Sequence, residues 1–253
     1  MIVAIDIGNT ALTFGVFDGA ELKETFVFPT ADFLQGKDLD HLTSVLSDTG
    51  ATTIAFASVV TEIAEPLTAF LTPLFPEATL LALRNSDVPI KNSYDQPNEV
   101  GIDRLLAAVA AYTYYSKDAN QPALYIDLGT ATTFDCITAD GEYLGGAITL
   151  GIEATAKSLS AMTSKLPLVP LQFPPSPLGT NTTHCIQSGV LFGAVASVEG
   201  MIERLTLQAF NGKHPIVIAT GGLSILLRDH TKSIDHIDPH LVLKGIVITA
   251  LSL

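Results

Sequence analysis

The chain has 253 residues, 47% of them hydrophobic and only 15% charged, with a formal net charge of −13. This length and composition predict one large domain or two small ones around a substantial core, and they exclude an intrinsically disordered chain. The negative charge repels phosphate backbones, so we expect no nucleic-acid partner. It does not exclude ATP, because backbone amides and metal ions meet its phosphates locally.

Targeting and redox signals indicate a cytoplasmic protein. The N-terminus lacks the basic, apolar and small-residue series of a signal peptide, and no run of about 18 uninterrupted apolar residues predicts a membrane span. Cys136 and Cys185 have no CxxC spacing. We expect both to be buried small hydrophobic residues in a reducing compartment. The six histidines form no HExxH motif, so zinc chemistry has no support.

The predicted elements alternate between strands and helices in both halves of the chain. Those of the first half are strands over residues 2–6, 11–17, 22–28 and 53–60, and helices over 61–71 and 102–112. Those of the second half are strands over residues 123–127, 132–139, 142–150 and 215–220, a long helical stretch over 184–210, and a surface loop over 166–181. The polar segment 116–122 predicts a boundary between domains at 1–117 and 118–253.

The two halves contain an internal repeat. Residues 2–6 (IVAID) and 123–127 (ALYID) are both apolar strands that end in Asp. Each is followed by a Gly turn, a second strand and an Asp-Gly hairpin signal, at Asp18-Gly19 and Asp140-Gly141, and then by a third strand. Two such copies about half the chain apart indicate duplication of a three-stranded meander.

A strand that ends in Asp before a Gly turn is suited to phosphate binding. Glycine lets the backbone approach a ligand, adjacent amides donate to phosphate oxygens, and the carboxylate can hold a cation at the same place. One such turn is also common in ordinary hairpins, but two equivalent turns favour the functional interpretation. The strand and turn Val217–Gly222 (VIATGG) come after the second turn and resemble the strand and Gly-Gly turn that contacts adenosine in actin-like ATPases. No GxxxxGK[ST] or GxGxxG motif occurs, which removes the main support for P-loop and Rossmann folds.

Between the two turns lies the segment Tyr94–Arg104 (YDQPNEVGIDR). Asn98 is a candidate cap for the helix that follows. The helix dipole would keep Asp103 ionised in the first turn, as a general base requires, and Arg104 offers a fork of donors to a carboxylate or phosphate. A capped helix with an intrahelical or surface ion pair remains the alternative.

In order and spacing, the motifs DIGNT, YDQPNEVGIDR, DLGTATTFD, GEYLGGAITLG, GTNTTHCIQSG and ATGGL resemble the type III pantothenate kinases over most of the chain. The resemblance implies an α/β fold of two duplicated actin-like (ribonuclease H-like) domains, each a mixed sheet with flanking helices, with a nucleotide cleft between them. It implies phosphorylation of pantothenate by ATP in the first step of coenzyme A synthesis. It also implies Mg²⁺, a monovalent cation (K⁺ or NH₄⁺) and a homodimer.

Site residues are carried over from the resemblance position by position. ATP binding is implied for Asp6, Gly8, Asn9, Thr10, Thr13, Thr130, Gly221 and Gly222, with magnesium at Asp6. Pantothenate binding is implied for Tyr94, Gly101, Ile102, Asp103, Arg104 and, from the dimer partner, Thr182. Asp103 is the implied catalytic base and Asp127 the implied ligand of the monovalent cation.

This chain departs from the family pattern near the implied substrate pocket. Ile102 replaces the usual alanine of GADR, Thr180 replaces the lysine of GKNT, and Leu150-Gly151 stands where PG is usual, followed by an unusual Glu153. The familiar TAKLP is SKLP here. Two alternative functions stay open: another actin-like small-molecule kinase, or a non-catalytic accessory or nucleotide-binding protein.

Overall fold

The computed structural model describes residues 1–60 and 62–253. They form two compact units. The first unit comprises Met1–Thr113 and His240–Leu253, and the second comprises Tyr114–Pro239. Because the C-terminal segment returns to the first unit, the units are not the consecutive ranges 1–117 and 118–253.

The first unit contains strands β1 (Ile2–Ile7), β2 (Ala11–Asp18), β3 (Glu21–Pro29), β4 (Thr53–Ser58), β5 (Thr79–Ala82) and β6 (Lys91–Asn92). Its helices before the second unit are α1 (Thr30–Leu34), α2 (Leu39–Ser47), α3 (Ala64–Leu74) and α4 (Ile102–Ala111). The second unit contains strands β7 (Ala123–Leu128), β8 (Ala131–Ile137), β9 (Glu142–Leu150), β10 (Ile216–Thr220) and β11 (His236–Ile237), with helices α5 (Ile152–Met162), α6 (Thr182–Phe210) and α7 (Ser224–Leu227). The C-terminal helix α8 (Leu241–Ser252) completes the first unit.

The sheet of the first unit has the strand order β3–β2–β1–β4–β5. β1 is antiparallel to β2 and parallel to β4. Because side chains alternate across a strand, Val3, Ile5 and Ile7 enter one hydrophobic core, which also includes Leu42 of α2 and Leu67 of α3. α8 packs against β1 and also against α4, so the helix that carries Asp103 is held by the C-terminal helix.

The second unit repeats this plan. Its strands lie in the order β9–β8–β7–β10–β11, with β7 antiparallel to β8 and parallel to β10. The second strand of each unit carries a register irregularity near its end, at Val16/Phe17 and at Cys136/Ile137. Equivalent order, direction and irregularity confirm the duplication predicted from the sequence.

Most predicted elements are present, with shifts at their ends. The helix predicted over 61–71 is found at Ala64–Leu74, and Thr61 lies outside the described residues. The prediction that Cys185 is buried is wrong, since it is exposed, whereas Cys136 is buried as expected. The segment 166–181 has no helix or strand, as predicted.

Within the part of the chain that the structure describes, one helix is long and apolar enough to cross a membrane by length and composition alone. This is α6, and core helices meet the same criterion. Val190, Leu191 and Val198 of α6 lie in the hydrophobic core of the second unit.

Candidate active site

The turn after β1 is held by a residue that sequence reasoning missed. The Gly8 N–H donates to the Ala11 carbonyl at 2.9 Å, which closes the turn. The buried Thr30 then fixes it from the start of α1, because its hydroxyl donates to the Gly8 carbonyl at 2.7 Å and its N–H donates to the Thr10 carbonyl at 3.1 Å. Nothing in the sequence between residues 10 and 30 signals this contact.

Asp6 occupies the end of β1, directly before this turn, and is half-buried. Its register partners are Thr13 on β2 and Ala57 on β4. Asn9 and Thr10 are exposed at the tip of the turn. A carboxylate with adjacent exposed amide and hydroxyl groups provides the mixture of acceptor and donors that a phosphate–cation pair needs.

The turn after β7 has the same construction. Asp127 is the penultimate residue of the strand and is half-buried, and the Gly129 N–H donates to the Ala131 carbonyl at 3.1 Å. The exposed Thr130 is held through its carbonyl, which accepts from the Gly151 N–H at 3.1 Å. Each unit therefore presents an Asp and a pinned Gly turn at the end of its central strand.

The predicted adenosine motif lies against Asp127 in the second unit. Gly221 has a φ of 84°, and a Cβ on it would collide with the Asp127 Oδ1. The Leu223 N–H donates to the Leu128 carbonyl at 3.2 Å, and the Ser224 hydroxyl donates to the Gly221 carbonyl at 2.8 Å. A residue other than glycine would be strained by this φ and would close the space beside the carboxylate. A Cβ on Gly222, by contrast, meets nothing within 4 Å.

The donor set around the two Asp residues fits hard cations. Asp6 and Asp127 supply carboxylate oxygens, and the space beside Asp127 is one that a Cβ on Gly221 would fill. Among the residues described, no group of three or more His, Cys, Asp and Glu side chains converges as a metal cage. Magnesium is commonly held by one or two carboxylates together with substrate phosphates.

Asp103 lies in the first turn of α4, where the backbone fixes its side chain. Its Oδ1 accepts the backbone N–H of Arg104 at 2.9 Å, and this N–H also reaches the Gly101 carbonyl at 3.1 Å. A Cβ on Gly101, the N-cap residue, would collide with the same Oδ1. The helix N-terminus favours the ionised carboxylate.

The prediction that Asn98 caps this helix is wrong. Asn98 lies in a separate short 3₁₀ turn, Pro97–Glu99, and the helix begins after Gly101 without a side-chain cap. Two other asparagines, Asn85 and Asn92, hold the segment Tyr94–Arg104 by hydrogen bonds. The Asn85 side chain donates to the Val100 carbonyl at 2.7 Å.

The second of these asparagines fixes the part of the segment that contains Tyr94. The Asn92 Oδ1 accepts the Tyr94 N–H at 3.0 Å, and its side-chain amide donates to the Pro97 carbonyl at 3.2 Å. The ring of Tyr94 is half-buried, whereas Ile102 and Arg104 are buried, with 7% and 9% of their surface exposed. Ile102, which replaces the usual alanine of the family, is therefore a buried residue.

Thr182 lies at the start of α6, where the Asn181 side chain accepts the His184 N–H at 2.9 Å and caps the helix. It borders an open cavity of about 600 Å³ in the second unit. The lining residues are Leu159, Leu166, Gly179, Thr180, Asn181, Thr182, Cys185, Ile186 and Gly189. Two of the departures are on or near the surface, since Thr180 lines this cavity and Glu153 forms an ion pair with Lys157 at 2.8 Å on α5.

Comparison with known proteins identifies relatives over the whole chain. The family model described as type III pantothenate kinase matches residues 2–204. A type III pantothenate kinase of Moorella thermoacetica is 38% identical over 98% of this chain and 98% of its own length.

Solved structures show the fold. A Campylobacter jejuni protein assigned to the Baf family of transcriptional activators has a TM-score of 0.64 and 19% identity, covering 98% of this chain and 97% of its own. A ROK family glucokinase of Streptomyces griseus, solved with glucose and AMPPNP, has a TM-score of 0.50 and 13% identity, covering 98% of both chains. The predicted fold class, with two mixed sheets of actin-like topology and flanking helices, is confirmed.

Proposed function

The chain belongs to the type III pantothenate kinase family, and from this premise we propose that it transfers the γ-phosphoryl group of ATP to the primary hydroxyl of pantothenate. The product is 4′-phosphopantothenate, and the reaction is the first step of coenzyme A biosynthesis. The observation that carries the proposal is the family similarity over 98% of the chain. The placement of Asp103 at the start of α4 supports it.

Asp103 acts as the general base in this proposal. Its Oδ1 is held by the Arg104 N–H, which orients the carboxylate, and it accepts the proton of the alcohol as the alcohol oxygen attacks the γ-phosphorus. In phosphoryl transfer the protein takes little part in covalent chemistry. Most of the rate acceleration therefore comes from positioning the reactants and neutralising charge.

Nucleotide binding is assigned in this proposal to the residues that the resemblance implies. The residues assigned to ATP are Asp6, Gly8, Asn9, Thr10, Thr13, Thr130, Gly221 and Gly222. Asp6 would hold magnesium and Asp127 a monovalent cation, K⁺ or NH₄⁺. When bound, these cations neutralise developing negative charge on the phosphates. The exposed side chains of Asn9, Thr10 and Thr130 supply hydrogen bonds to phosphate oxygens in this proposal.

Pantothenate is assigned to the segment that contains Asp103. Tyr94 and the stretch Gly101–Arg104 form its pocket, and Arg104 offers paired donors to the pantothenate carboxylate. Thr182 contributes from the partner of a homodimer. The protein acts in the cytoplasm.

The test compares two carboxylate-to-amide substitutions at helix starts. Asp103→Asn removes the base, and Asp40→Asn makes the same chemical change at an exposed residue in the first turn of α2. We expect Asp103→Asn to lower kcat by about 10²–10⁴-fold, the typical contribution of a general base, with little change in melting temperature. Asp40→Asn keeps wild-type kcat. Near-normal turnover in a folded Asp103→Asn variant would remove Asp103 from the role of base.

A further inference from the structure

The second unit buries a carboxylate that the proposed mechanism does not use. Asp135 in β8 has 0% of its surface exposed. Its Oδ1 accepts the Tyr143 hydroxyl at 2.7 Å, and its Oδ2 accepts the Thr133 hydroxyl at 2.9 Å. A buried charge is costly unless such donors satisfy it, so its presence calls for a function.

Asp135 shares a face of the sheet with Asp127. In the β7–β8 register Asp127 is paired with Thr133 and Tyr125 with Asp135, and directly paired residues of antiparallel strands point to the same side. The intervening residues, Ile126 among them, point to the hydrophobic core on the other side. The Thr133–Asp135 hydrogen bond therefore runs along the face of the sheet that carries Asp127.

The duplicated fold provides an internal comparison for this position. In the first unit Asp6 is paired with Thr13 and Ala4 with Gly15, in the same arrangement. Both units thus place a threonine opposite the strand-end Asp, but only the second has a carboxylate two residues further on. The first unit forms its sheet with glycine there, so strand pairing does not require Asp135.

The hydrogen bond to Asp135 fixes the direction in which the Thr133 hydroxyl donates. The Thr133 hydroxyl is the donor in this hydrogen bond, so its hydrogen is committed to Asp135 and its oxygen is left to act as an acceptor or a ligand. Side chains of directly paired residues have Cβ atoms about 4.5–5.5 Å apart, so the side chains of Thr133 and Asp127 are neighbours on this face of the sheet. The result is one carboxylate and one neutral oxygen, which is a weakly charged pair of hard ligands.

We propose that Thr133 supplies a second oxygen to the monovalent cation held by Asp127, and that Asp135 is the positioning residue that keeps the Thr133 hydroxyl in its acceptor orientation. This inference rests on the proposed cation site at Asp127. The low charge of the ligand pair suits K⁺ better than Mg²⁺, which demands a regular octahedron of oxygens at short distances and keeps several of its waters. Asp135 contacts no substrate and acts through Thr133.

The test uses four variants and KCl titrations at constant ionic strength, with tetramethylammonium chloride as the balancing salt. Thr133→Val removes the oxygen while keeping the shape, and Thr133→Ser restores it. Asp135→Asn replaces the carboxylate with an amide, which can both donate and accept, so the direction of the Thr133 hydrogen bond is no longer fixed. Tyr143→Phe removes the other hydrogen bond to Asp135 and is the control for a merely structural role. Each protein is measured for the KCl midpoint of pantothenate-dependent turnover and, without substrates, for the KCl midpoint of thermal stabilisation.

We expect Asp135→Asn to raise both KCl midpoints about tenfold, the lower end of the usual effect of removing a ligand-orienting group. Thr133→Val removes the ligand itself, so we expect it to raise them at least as much. Thr133→Ser and Tyr143→Phe stay within about twofold of the wild type, as expected of variants that keep the Thr133–Asp135 hydrogen bond. If Thr133→Val does not fold, Thr133→Ala replaces it.

Unchanged midpoints in a folded Thr133 variant, with a wild type that responds to KCl, would overturn this inference and leave the proposed function standing. Equal shifts in Asp135→Asn and Tyr143→Phe would also overturn it, because they would show a structural role alone. A wild type that turns over pantothenate without any response to KCl would overturn both the cation site at Asp127 and the role of Thr133.

Discussion

Replacing Gly245 with alanine tests how firmly the helix that carries Asp103 is held. A Cβ on Gly245 in α8 would collide with the carbonyl oxygen of Leu106 in α4 and lie 2.9 Å from the Leu106 Cα. Leu106 is completely buried, so α4 can avoid the clash only by moving away from α8. The substitution therefore displaces the helix whose first turn contains the proposed base.

Two opposing terms set the size of the effect. Overpacking a buried site costs about 1–3 kcal/mol, whereas glycine to alanine within a helix gains about 1 kcal/mol. The contact here is with backbone, which cannot rotate aside, so the cost lies near the upper end and the net loss is about 1–2 kcal/mol. For a chain of this size that loss lowers Tm by roughly 2–8 °C.

The assay is thermal unfolding combined with kcat for pantothenate. Gly193→Ala is the matched control, because Gly193 is an exposed residue within α6 and a Cβ on it meets nothing within 4 Å. We expect Gly193→Ala to raise stability by up to about 1 kcal/mol, and Gly245→Ala to lower both Tm and kcat. A Gly245→Ala variant that melts at or above the wild-type temperature would refute the close packing of α4 on α8.

Three further predictions follow from individual contacts. Thr30→Val removes the side-chain hydrogen bond that holds the first Gly turn, and we expect it to lower the free energy of unfolding by about 1 kcal/mol and to raise KM for ATP more than KM for pantothenate. Asn85→Ala removes the hydrogen bond to the Val100 carbonyl before α4, so we expect it to raise KM for pantothenate more than KM for ATP. Steady-state kinetics with each substrate varied in turn distinguish the Thr30 and Asn85 variants. A thiol reagent at neutral pH should modify the exposed Cys185 and spare Cys136, because burial and then the charge of Asp135 raise the pKa of the Cys136 thiol to about 12. Modification of both thiols in folded protein would contradict the buried position of Cys136.

The sequence predicted the duplicated strands because their signals are local. Alternating apolar residues, a terminal Asp and an Asp-Gly hairpin lie within about 20 residues of each other in each copy. The structure agrees on these strands and on the turns at Asp6 and Asp127. It also brings Gly221 next to Asp127, a contact that the sequence analysis did not predict.

The features that the sequence did not predict depend on contacts between distant residues. Thr30 reaches the first turn across a separation of 22 residues, and Asn85 reaches Val100 across 15. A single polar residue carries no periodic signal, so neither contact can be found from pattern alone. The error at Asn98 has the same cause. Asparagine is a common cap residue, but the helix begins after Gly101 without a side-chain cap, and no sequence pattern indicates such a start.

The roles of individual site residues remain predictions. The family and the fold follow from similarity over the whole chain, but the assignments to the base, the cations and each substrate come from positions in motifs. Asp103, Asp127 and Thr182 are therefore the residues at which substitution is most informative. The homodimer is also a prediction, because Thr182 is proposed to contact pantothenate from the partner subunit.

The most direct test of the central proposal is to follow ADP release by the purified protein with ATP and Mg²⁺, with pantothenate present or absent, and to identify the product by mass spectrometry. We predict that ADP release requires pantothenate and that one 4′-phosphopantothenate forms for each ADP. ADP release that ignores pantothenate but follows the addition of a sugar such as glucose would contradict the proposed acceptor.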